Sequence, residues 1–252
     1  MMAMNIGLYQ SAASLNALER WQDAVAQNIT SSQVTGFKRR TVQVASESKG
    51  ETMLNTDGRA GQGEGIPALF PQTRYSIAFQ AGENLPTRRD LDMAVSGDGF
   101  FNVRMPDGKT AYTRAGEFSI RADRTIISSQ GMPVLSEGGD PIQLQAQGGA
   151  LVVNEDGTLR QGGAALGKLA ISKTANPAGL VAMAGGLFIA PAGLEMTPVE
   201  KPVVQQGYLE SSNVAALREM VDLVSIGRAY EANQKLIQSR DKLMGTTIET
   251  FS

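Results

Sequence analysis

The sequence predicts an α+β protein in which long N- and C-terminal helices pair as an antiparallel, coiled-coil-like core and the chain between them forms a central all-β domain. Residues 1–35 and 213–252 contain no proline and repeat apolar side chains at helical spacing. The middle of the chain alternates short apolar runs with glycine-containing turns, which is typical of antiparallel strands. We therefore expect four segments: an N-terminal core helix at 1–35, an extended linker or loop arm at 36–80, a central antiparallel β domain at 81–206 and a C-terminal core helix at 207–252.

Composition excludes several kinds of functional site. The 252 residues include no cysteine and no histidine, which excludes disulfides, thiolate nucleophiles, zinc sites with Cys or His ligands and histidine-based triads. With 23 basic and 25 acidic residues, the net charge is −2. The chain therefore has no broad electrostatic field for nucleic acid or anionic lipid, and we expect no nucleic-acid partner.

The N-terminal residues MMAMNIGLYQSAASLNALERW carry no secretory targeting pattern. They lack a basic leader followed by a continuous apolar core, so we expect no cleaved signal peptide. No stretch of the sequence approaches the ~20 apolar residues that a transmembrane helix needs, and we expect no such helix.

The N-terminal helix is predicted to carry a narrow apolar seam. With Leu8 at position a of a heptad, five of the seven seam positions are apolar, and the seam consists of Leu8, Ser11, Leu15, Leu18, Gln22, Val25 and Ile29. Gly36 is suited to the chain reversal that ends a helix. The basic run at 38–40 that follows it indicates a solvated helix exit.

The segments after this helix differ from it in pattern. Residues 45–68 are polar and rich in glycine, which predicts a loop or an extended arm. From Asp90 onward, short apolar runs are separated by Pro-Asp-Gly at 106–108 and Glu-Asp-Gly at 155–157. Glycine supplies the positive φ angle that such hairpin turns need. The region is therefore predicted to be antiparallel, with few or no helices.

The C-terminal helix is predicted to start near Asn213, with Ser211, Ser212 or Asn213 as the N-cap and Glu219 in its early turns. It carries two neighbouring apolar stripes. The first contains Val214, Leu217, Val221 and Val224, and the second contains Met220, Leu223, Gly227, Tyr230, Gln234, Ile237, Asp241, Met244, Ile248 and Phe251. A two-helix pair leaves part of so wide a face in water. We therefore expect other molecules to bury the remainder.

The patterns that point to chemistry are weak. GQGEG at 61–65 has the glycine spacing of a phosphate loop but follows no strand and opens no helix, so it indicates a flexible loop. Asp90, Asp92 and Asp98 are candidate carboxylates for glycoside hydrolysis or a metal, but their turn and strand-entry positions favour structural roles. NEDGTL at 154–159 lacks the later glutamate of a calcium loop and indicates a hairpin turn. We predict no catalytic, cofactor-binding or metal-binding residues.

The basic pairs in the chain are short. Lys38-Arg39-Arg40 and Arg88-Arg89 are balanced by acidic residues elsewhere, so they do not indicate a nucleic-acid site. They are expected to be solvated or to form salt bridges to a neighbouring subunit.

Three blocks carry a resemblance to a known family. The first contains Ala26, Asn28, Ile29, Thr35, Gly36, Phe37 and Lys38. The second is LDMAVSGDGFFNV at 91–103, followed by AYTRAGEF at 111–118. The third spans 207–243 and contains Glu210, Ser212, Asn213, Val214, Glu219, Met220, Val221, Arg228, Tyr230, Glu231, Asn233, Lys235 and Asp241. With these blocks the chain resembles the bacterial flagellar rod and hook proteins of the axial filament.

The length and the single modest β domain resemble the rod proteins of the FlgF and FlgG type, and we favour the FlgF type. The chain departs from the family pattern at Gln27, Thr30, Ser31 and Val34, and Arg88-Arg89 replaces a usual Gly-Asn. The polar loop at 45–68 lies where rod and hook proteins differ, so it is a candidate for setting axial contacts and stiffness.

The resemblance implies a non-enzymatic structural subunit of the flagellar basal-body rod, a tube that spans the periplasm and transmits torque. Terminal helices would form the inner core of the tube and the β domain its outer layer. The implied partners are other rod subunits, in homo- and hetero-oligomers, and the type III export apparatus, with export lacking signal cleavage. No cofactor, metal or small-molecule substrate is implied.

The predicted site residues fall into two sets. The expected assembly interface contains Leu8, Leu15, Leu18, Val25, Ile29, Val214, Leu217, Met220, Val221, Leu223, Val224, Tyr230, Ile237, Met244 and Ile248. The family-motif residues are Asn28, Gly36, Phe37, Lys38, Asn213, Glu219, Arg228, Glu231 and Asn233.

Two other functions remain open on the sequence alone. A secreted β-rich protein that binds or processes carbohydrate would use Asp90, Asp92 or Asp98. A soluble coiled-coil dimer with a β head would bury the helices in a closed pair.

Overall fold

The computed structural model describes residues 2–53, 65–146 and 148–250. Two long helices, α1 (Met2–Thr30) and α2 (Ala216–Thr250), lie near the two ends of the sequence. The described residues between them form β1 (Arg40–Met53), β2 (Gly65–Ile77), β3 (Asn84–Pro86), β4 (Met93–Ser96), β5 (Phe100–Arg104), β6 (Thr110–Thr113), β7 (Phe118–Ile120), β8 (Ile126–Ser128), β9 (Leu151–Val153), β10 (Thr158–Gln161), β11 (Ala164–Lys168), β12 (Ile171–Lys173), β13 (Val181–Ala182), β14 (Leu187–Ile189), β15 (Thr197–Pro198), β16 (Val203–Gln206) and β17 (Tyr208–Glu210). The α+β class with two terminal helices is confirmed.

The strands form one large sheet and several small ones. Six strands make a sheet in the order β13-β14-β6-β5-β12-β15, and three make a sheet in the order β11-β10-β9. The pairs β16-β4, β17-β3 and β7-β8 complete the β-rich middle, and these pairings are antiparallel. Two short 3-10 helices, Pro177–Gly179 and Ala184–Gly186, interrupt the strands.

In the predicted hairpin turns, glycine supplies the positive φ angle and aspartate accepts a local backbone hydrogen bond. Gly108 and Gly157 hold φ angles of 82° and 83°, which a residue with a Cβ rarely adopts. Asp107 and Asp156 each accept a hydrogen bond at 3.0 Å from the backbone N–H two residues later. These bonds favour the charged carboxylates and lower the pKa of both.

Within 45–68, where the sequence predicts a loop or an extended arm, the residues that the structure describes are extended strands. Residues 45–53 belong to β1 and residues 65–68 to β2, and these two strands pair with each other. The hydroxyls of Thr41 and Ser76 lie 2.6 Å apart across the pair. Residues 54–64, including most of the GQGEG motif, lie outside the described part of the chain.

The apolar core of the middle region is built from alternate strand residues. The larger cluster surrounds Phe101 and Phe118, whose rings meet edge to face with centroids 5.1 Å apart. A smaller cluster contains Phe100, Leu180 and Phe188.

The chain divides into two compact units. The helical unit comprises Met1–Ile29, Arg40–Ser76 and Ala215–Ser252, and the β unit comprises Thr30–Arg39 and Ile77–Val214. No helix in the described residues has a stretch long and apolar enough to cross a membrane.

Candidate assembly site

The side of α2 that is withdrawn from solvent follows a heptad pattern. Glu219 and Ile226 are fully buried, and the half-buried residues continue the 4-3 spacing at Leu223, Tyr230, Asn233 and Ile237. This spacing gives α2 one continuous buried side, which we call the buried seam. The interface predicted from the sequence includes Leu223, Tyr230 and Ile237 but not Ile226, which lies inside the seam.

The buried side of α1 differs from the predicted heptad. Its buried residues are Ala17, Ala24, Val25 and Asn28, and Trp21 is half-buried. Gln22, predicted at a seam position, is exposed. The seam is therefore shifted toward small residues, which let a neighbouring backbone approach closely. A pattern that counted large apolar side chains could not find this register.

A second face of α2 carries apolar side chains that remain in water. Leu217 is 81 % exposed, Val221 65 %, Val224 57 % and Met220 49 %. We call these four residues the exposed stripe. Their spacing of 3, 1 and 3 places them on one side of the first turns of the helix. All four belong to the predicted interface, and this molecule leaves them uncovered.

The other predicted interface residues divide by burial. Val25 is buried, and the half-buried ones are Leu15, Leu18, Ile29, Val214, Leu223, Tyr230 and Ile237. The side chains of Leu8, Met244 and Ile248 lie outside the described residues.

Asn28 connects three elements of the helical unit. Its amide nitrogen donates to the Arg40 carbonyl oxygen at 2.8 Å, and the Arg40 N–H donates back to its amide oxygen at 2.8 Å. The same nitrogen donates to the Glu219 carboxylate at 2.9 Å. Because an amide offers both donors and an acceptor, one buried side chain ties α1 to β1 and α2.

Asn213 plays a similar part in the β unit and does not cap α2. Its amide oxygen accepts from the Arg39 N–H at 2.7 Å, and its nitrogen donates to the carbonyl oxygens of Ala78 and Gln80 at 2.7 and 2.9 Å. The first helical hydrogen bond of α2 runs from the Glu219 N–H to the Ala215 carbonyl oxygen. The predicted N-cap was therefore wrong, since Asn213 is used by more distant segments.

Glu210 is the centre of a buried charge cluster in the β unit. Its carboxylate accepts hydrogen bonds from Lys38 Nζ, from the Gly82 N–H at 2.8 Å and from Arg114 Nη1 at 3.3 Å. All three charged side chains are buried. Lys38 also donates to the Gln80 carbonyl oxygen at 2.9 Å. A single carboxylate thus joins four segments of the chain.

The cluster contains two cations for one carboxylate. Burial lowers the pKa of Lys38, and the neighbouring Arg114 adds to this effect while Glu210 opposes it. Burial likewise lowers the pKa of Arg114 from its usual range, against the attraction of Glu210 and Asp98. Glu210 therefore supplies the charge that makes burial of both cations tolerable.

Gly36 and Phe37 bring the N-terminal segment to this cluster. The Gly36 N–H donates to the Glu210 carbonyl oxygen at 2.8 Å, and Gly36 holds a φ of 66°. A Cβ there would lie 2.3 Å from the Arg114 carbonyl carbon, so only glycine fits. Phe37 is buried, and its carbonyl oxygen accepts from the Asn213 N–H at 3.4 Å.

The remaining family-motif residues lie on α2. Arg228 and Glu231 are exposed, whereas Asn233 is half-buried and donates to the Ala229 carbonyl oxygen at 3.0 Å. Six of the nine motif residues thus take part in the contacts around Asn28, Asn213 and Glu210. Arg114 and Glu210 lie in the blocks that carry the family resemblance, but neither was predicted as a site residue. The sequence feature that could have identified each of them is a charged residue within an otherwise apolar or strand-like stretch.

The aspartates of the carbohydrate alternative do not form a usable site. Asp92 is fully buried, so a polymeric substrate cannot reach its carboxylate, whereas Asp90 and Asp98 are exposed. Within the described ranges, no group of three acidic residues is close enough to hold a metal ion.

Known families match the segments that contain these contacts. Residues 94–161 match the flagellar hook protein FlgE/F/G D1 domain, and residues 205–250 match the flagellar basal body rod FlgEFG protein C-terminal region. The chain is 31 % identical over 260 residues to the flagellar basal-body rod protein FlgG of Borreliella burgdorferi, covering 94 % of this chain and 96 % of the relative. The chain belongs to the flagellar basal-body rod protein family.

Relatives of both types match this rod protein. It is 29 % identical over 247 residues to FlgF of Caulobacter vibrioides and 30 % identical over 249 residues to FlgF of Rhizobium meliloti, with 98 % of each chain covered in both cases. The resemblance to rod proteins of the FlgF/FlgG type is confirmed. Sequence identity alone does not separate the favoured FlgF type from FlgG.

Proposed function

We propose that this rod protein, a structural subunit of the flagellar basal body, assembles with other axial subunits through its terminal helices into a torque-transmitting tube. The observation that carries the proposal is the exposed stripe on α2. Four large apolar side chains stay in water on a helix whose other side is already buried. Full burial of each side chain contributes about 1.5–3 kcal/mol relative to exposure. This free energy favours association with other subunits.

The stripe suits contact between copies better than a closed pair. A closed two-helix pair uses one seam per helix, and α2 already has such a seam through Ile226. A second apolar face allows contact with a further neighbour. Repeated contacts between unlike surfaces produce a helical assembly. Stiffness then comes from packed helices and needs no catalytic group.

The partners and the route follow from the same proposal. Other rod subunits provide the helices that cover the exposed stripe, and the type III export apparatus delivers the chain without signal cleavage. The intact mass of the protein recovered from purified basal bodies tests this route. A mass that lacks an N-terminal peptide would contradict it.

The double variant Leu217→Ser/Val221→Ser tests the role of the stripe. Because both side chains are exposed, the monomer should keep its helical circular dichroism while sedimentable assembly and motility are lost. Gln238→Ser, at an exposed polar position on the same helix, should change neither. Assembly that is unchanged in the double variant, or a wild-type chain that stops at a closed dimer in analytical centrifugation, would contradict the proposal.

A further inference from the structure

Met220 is the one residue of the exposed stripe that contains sulfur. Its side chain is 49 % exposed, and the other three members, Leu217, Val221 and Val224, carry only hydrocarbon side chains. The chain has 11 methionines and no cysteine, so thioethers are its only sulfur groups. An oxidant that reacts with sulfur must therefore react with a methionine.

Among the methionine side chains that the structure describes, Met220 is the most exposed. Met183, which follows β13 in the β unit, is 37 % exposed. The others are half-buried or buried, namely Met93, Met105, Met132 and Met196. Because oxidation follows solvent access, an oxidant in water reaches Met220 and Met183 more readily than these four.

A sulfoxide at Met220 would find no side-chain hydrogen-bond donor on its own face of α2. Side chains three and four residues away share that face. They are Ala216, Leu217, Leu223 and Val224. None of them carries a polar atom. A subunit that covers the stripe would bury the sulfoxide oxygen beside these apolar neighbours, and a buried polar group without a partner costs free energy.

The same sulfoxide should not disturb the single chain. About half of the Met220 side chain already faces water, so the sulfoxide oxygen can be hydrated there. The buried seam through Ile226 lies on a different side of α2. Oxidation of Met220 therefore acts on association between subunits and not on the folding of the helix.

We propose that Met220 is a redox-sensitive modification site whose oxidation by hydrogen peroxide prevents burial of the exposed stripe. The proposal rests on the helix-driven assembly proposed above. The thioether sulfur attacks one peroxide oxygen and the O–O bond breaks. That oxygen is transferred to sulfur, and the other leaves as water with the two peroxide protons. The sulfur loses two electrons, which the peroxide gains. A methionine sulfoxide reductase reverses the step at the expense of a dithiol, which becomes a disulfide as water is released.

Sedimentation after peroxide treatment tests the proposal. Full-length wild type is oxidised as the dilute monomer, freed of peroxide and then concentrated. The concentration needed for assembly should rise by about tenfold, since the stripe loses the burial of one large apolar side chain. The helical circular dichroism of the monomer should be unchanged.

Two leucine variants show which methionine is responsible. Met220→Leu keeps an apolar side chain of similar size but has no thioether there, so it should assemble equally well with and without peroxide. Met183→Leu is the matched control, because it removes the other exposed methionine, and it should stay as sensitive as wild type. Peroxide that inhibits Met220→Leu as strongly as wild type overturns the proposal.

Peptide mass spectrometry and enzymatic repair complete the test. The sulfoxide should be found at Met220 in the treated monomer, and methionine sulfoxide reductase with dithiothreitol should remove it and restore assembly. Failure to oxidise Met220, normal assembly of the chain oxidised at Met220, or removal of the sulfoxide without recovery each overturns the proposal.

The untreated wild-type chain separates this proposal from the one on which it rests. Untreated chain that assembles, with no response to oxidation of Met220, contradicts the modification site and leaves helix-driven assembly intact. Untreated chain that stays monomeric at every concentration overturns both.

Discussion

Three polar side chains hold together segments that lie far apart in the sequence. Asn28 uses its amide to bind Arg40 backbone atoms and the Glu219 carboxylate, and Asn213 uses the donor and the acceptor of its amide to bind backbone atoms. Glu210 uses a single carboxylate to hold Lys38, Arg114 and a loop N–H. Buried polar groups of this kind specify an arrangement, because any other arrangement leaves them without partners.

Removing the charge of Glu210 should cost more stability than removing that of Lys38. Glu210→Gln leaves two buried cations without a carboxylate, whereas Lys38→Met leaves the Arg114–Glu210 pair balanced. We expect a loss of about 3–5 kcal/mol for the first variant and a smaller loss for the second. Urea unfolding of the full chain measures both, and equal losses would contradict this account of the cluster.

The same cluster should make stability depend on pH. Burial lowers the pKa of Lys38 below its ordinary value of 10.5. Between the lowered value and 10.5, the unfolded chain binds more protons than the folded chain, so the free energy of unfolding rises with pH. Lys38→Met removes this contribution. As pH rises across that window, the free energy of unfolding of wild type should increase relative to that of Lys38→Met. A relative decrease would contradict burial as the cause of the lowered pKa.

Helices and turns were predictable from the sequence where the residues that specify them lie in one continuous segment. The existence of α1 and α2 followed from proline-free helical spacing, and the turns at 106–108 and 155–157 followed from aspartate and glycine. The register of α1 was not predictable, because Ala17 and Ala24 are buried for their small size. The start of α2 was predicted wrongly because Asn213 hydrogen-bonds the distant Ala78 carbonyl oxygen and does not cap the helix.

The two faces of α2 should respond differently to truncation. Ile226→Ala opens a cavity in the buried seam and should cost the monomer about 2–4 kcal/mol. Val224→Ala removes an exposed methyl pair and should leave the monomer unchanged while it weakens assembly. Chemical unfolding of the dilute chain measures the first effect, and sedimentation at high concentration measures the second. Similar monomer losses for both variants would show that the exposed stripe is covered within one molecule.

At the scale of the whole molecule, the two units differ in how much of their apolar surface is buried. The β unit buries two apolar clusters and pairs buried Lys38 and Arg114 with Glu210. The helical unit carries a buried seam beside an exposed apolar stripe. The width of their apolar face in the sequence predicts that the terminal helices need neighbours. The sequence could not indicate the cluster around Glu210, since that cluster depends on how separate segments come together.

Hydrogen exchange of the full chain, compared between dilute monomer and sedimented assembly, tests the central claim that α2 gains its full burial from other subunits. Because Glu219 is already buried in the single chain, we expect peptides spanning 216–224 to be partly protected in the monomer and to exchange markedly more slowly on assembly, since burial of the stripe further suppresses local opening. Peptides from β5 and β6 should be equally protected in both states. Equal, strong protection of 216–224 in the lone monomer would contradict the claim.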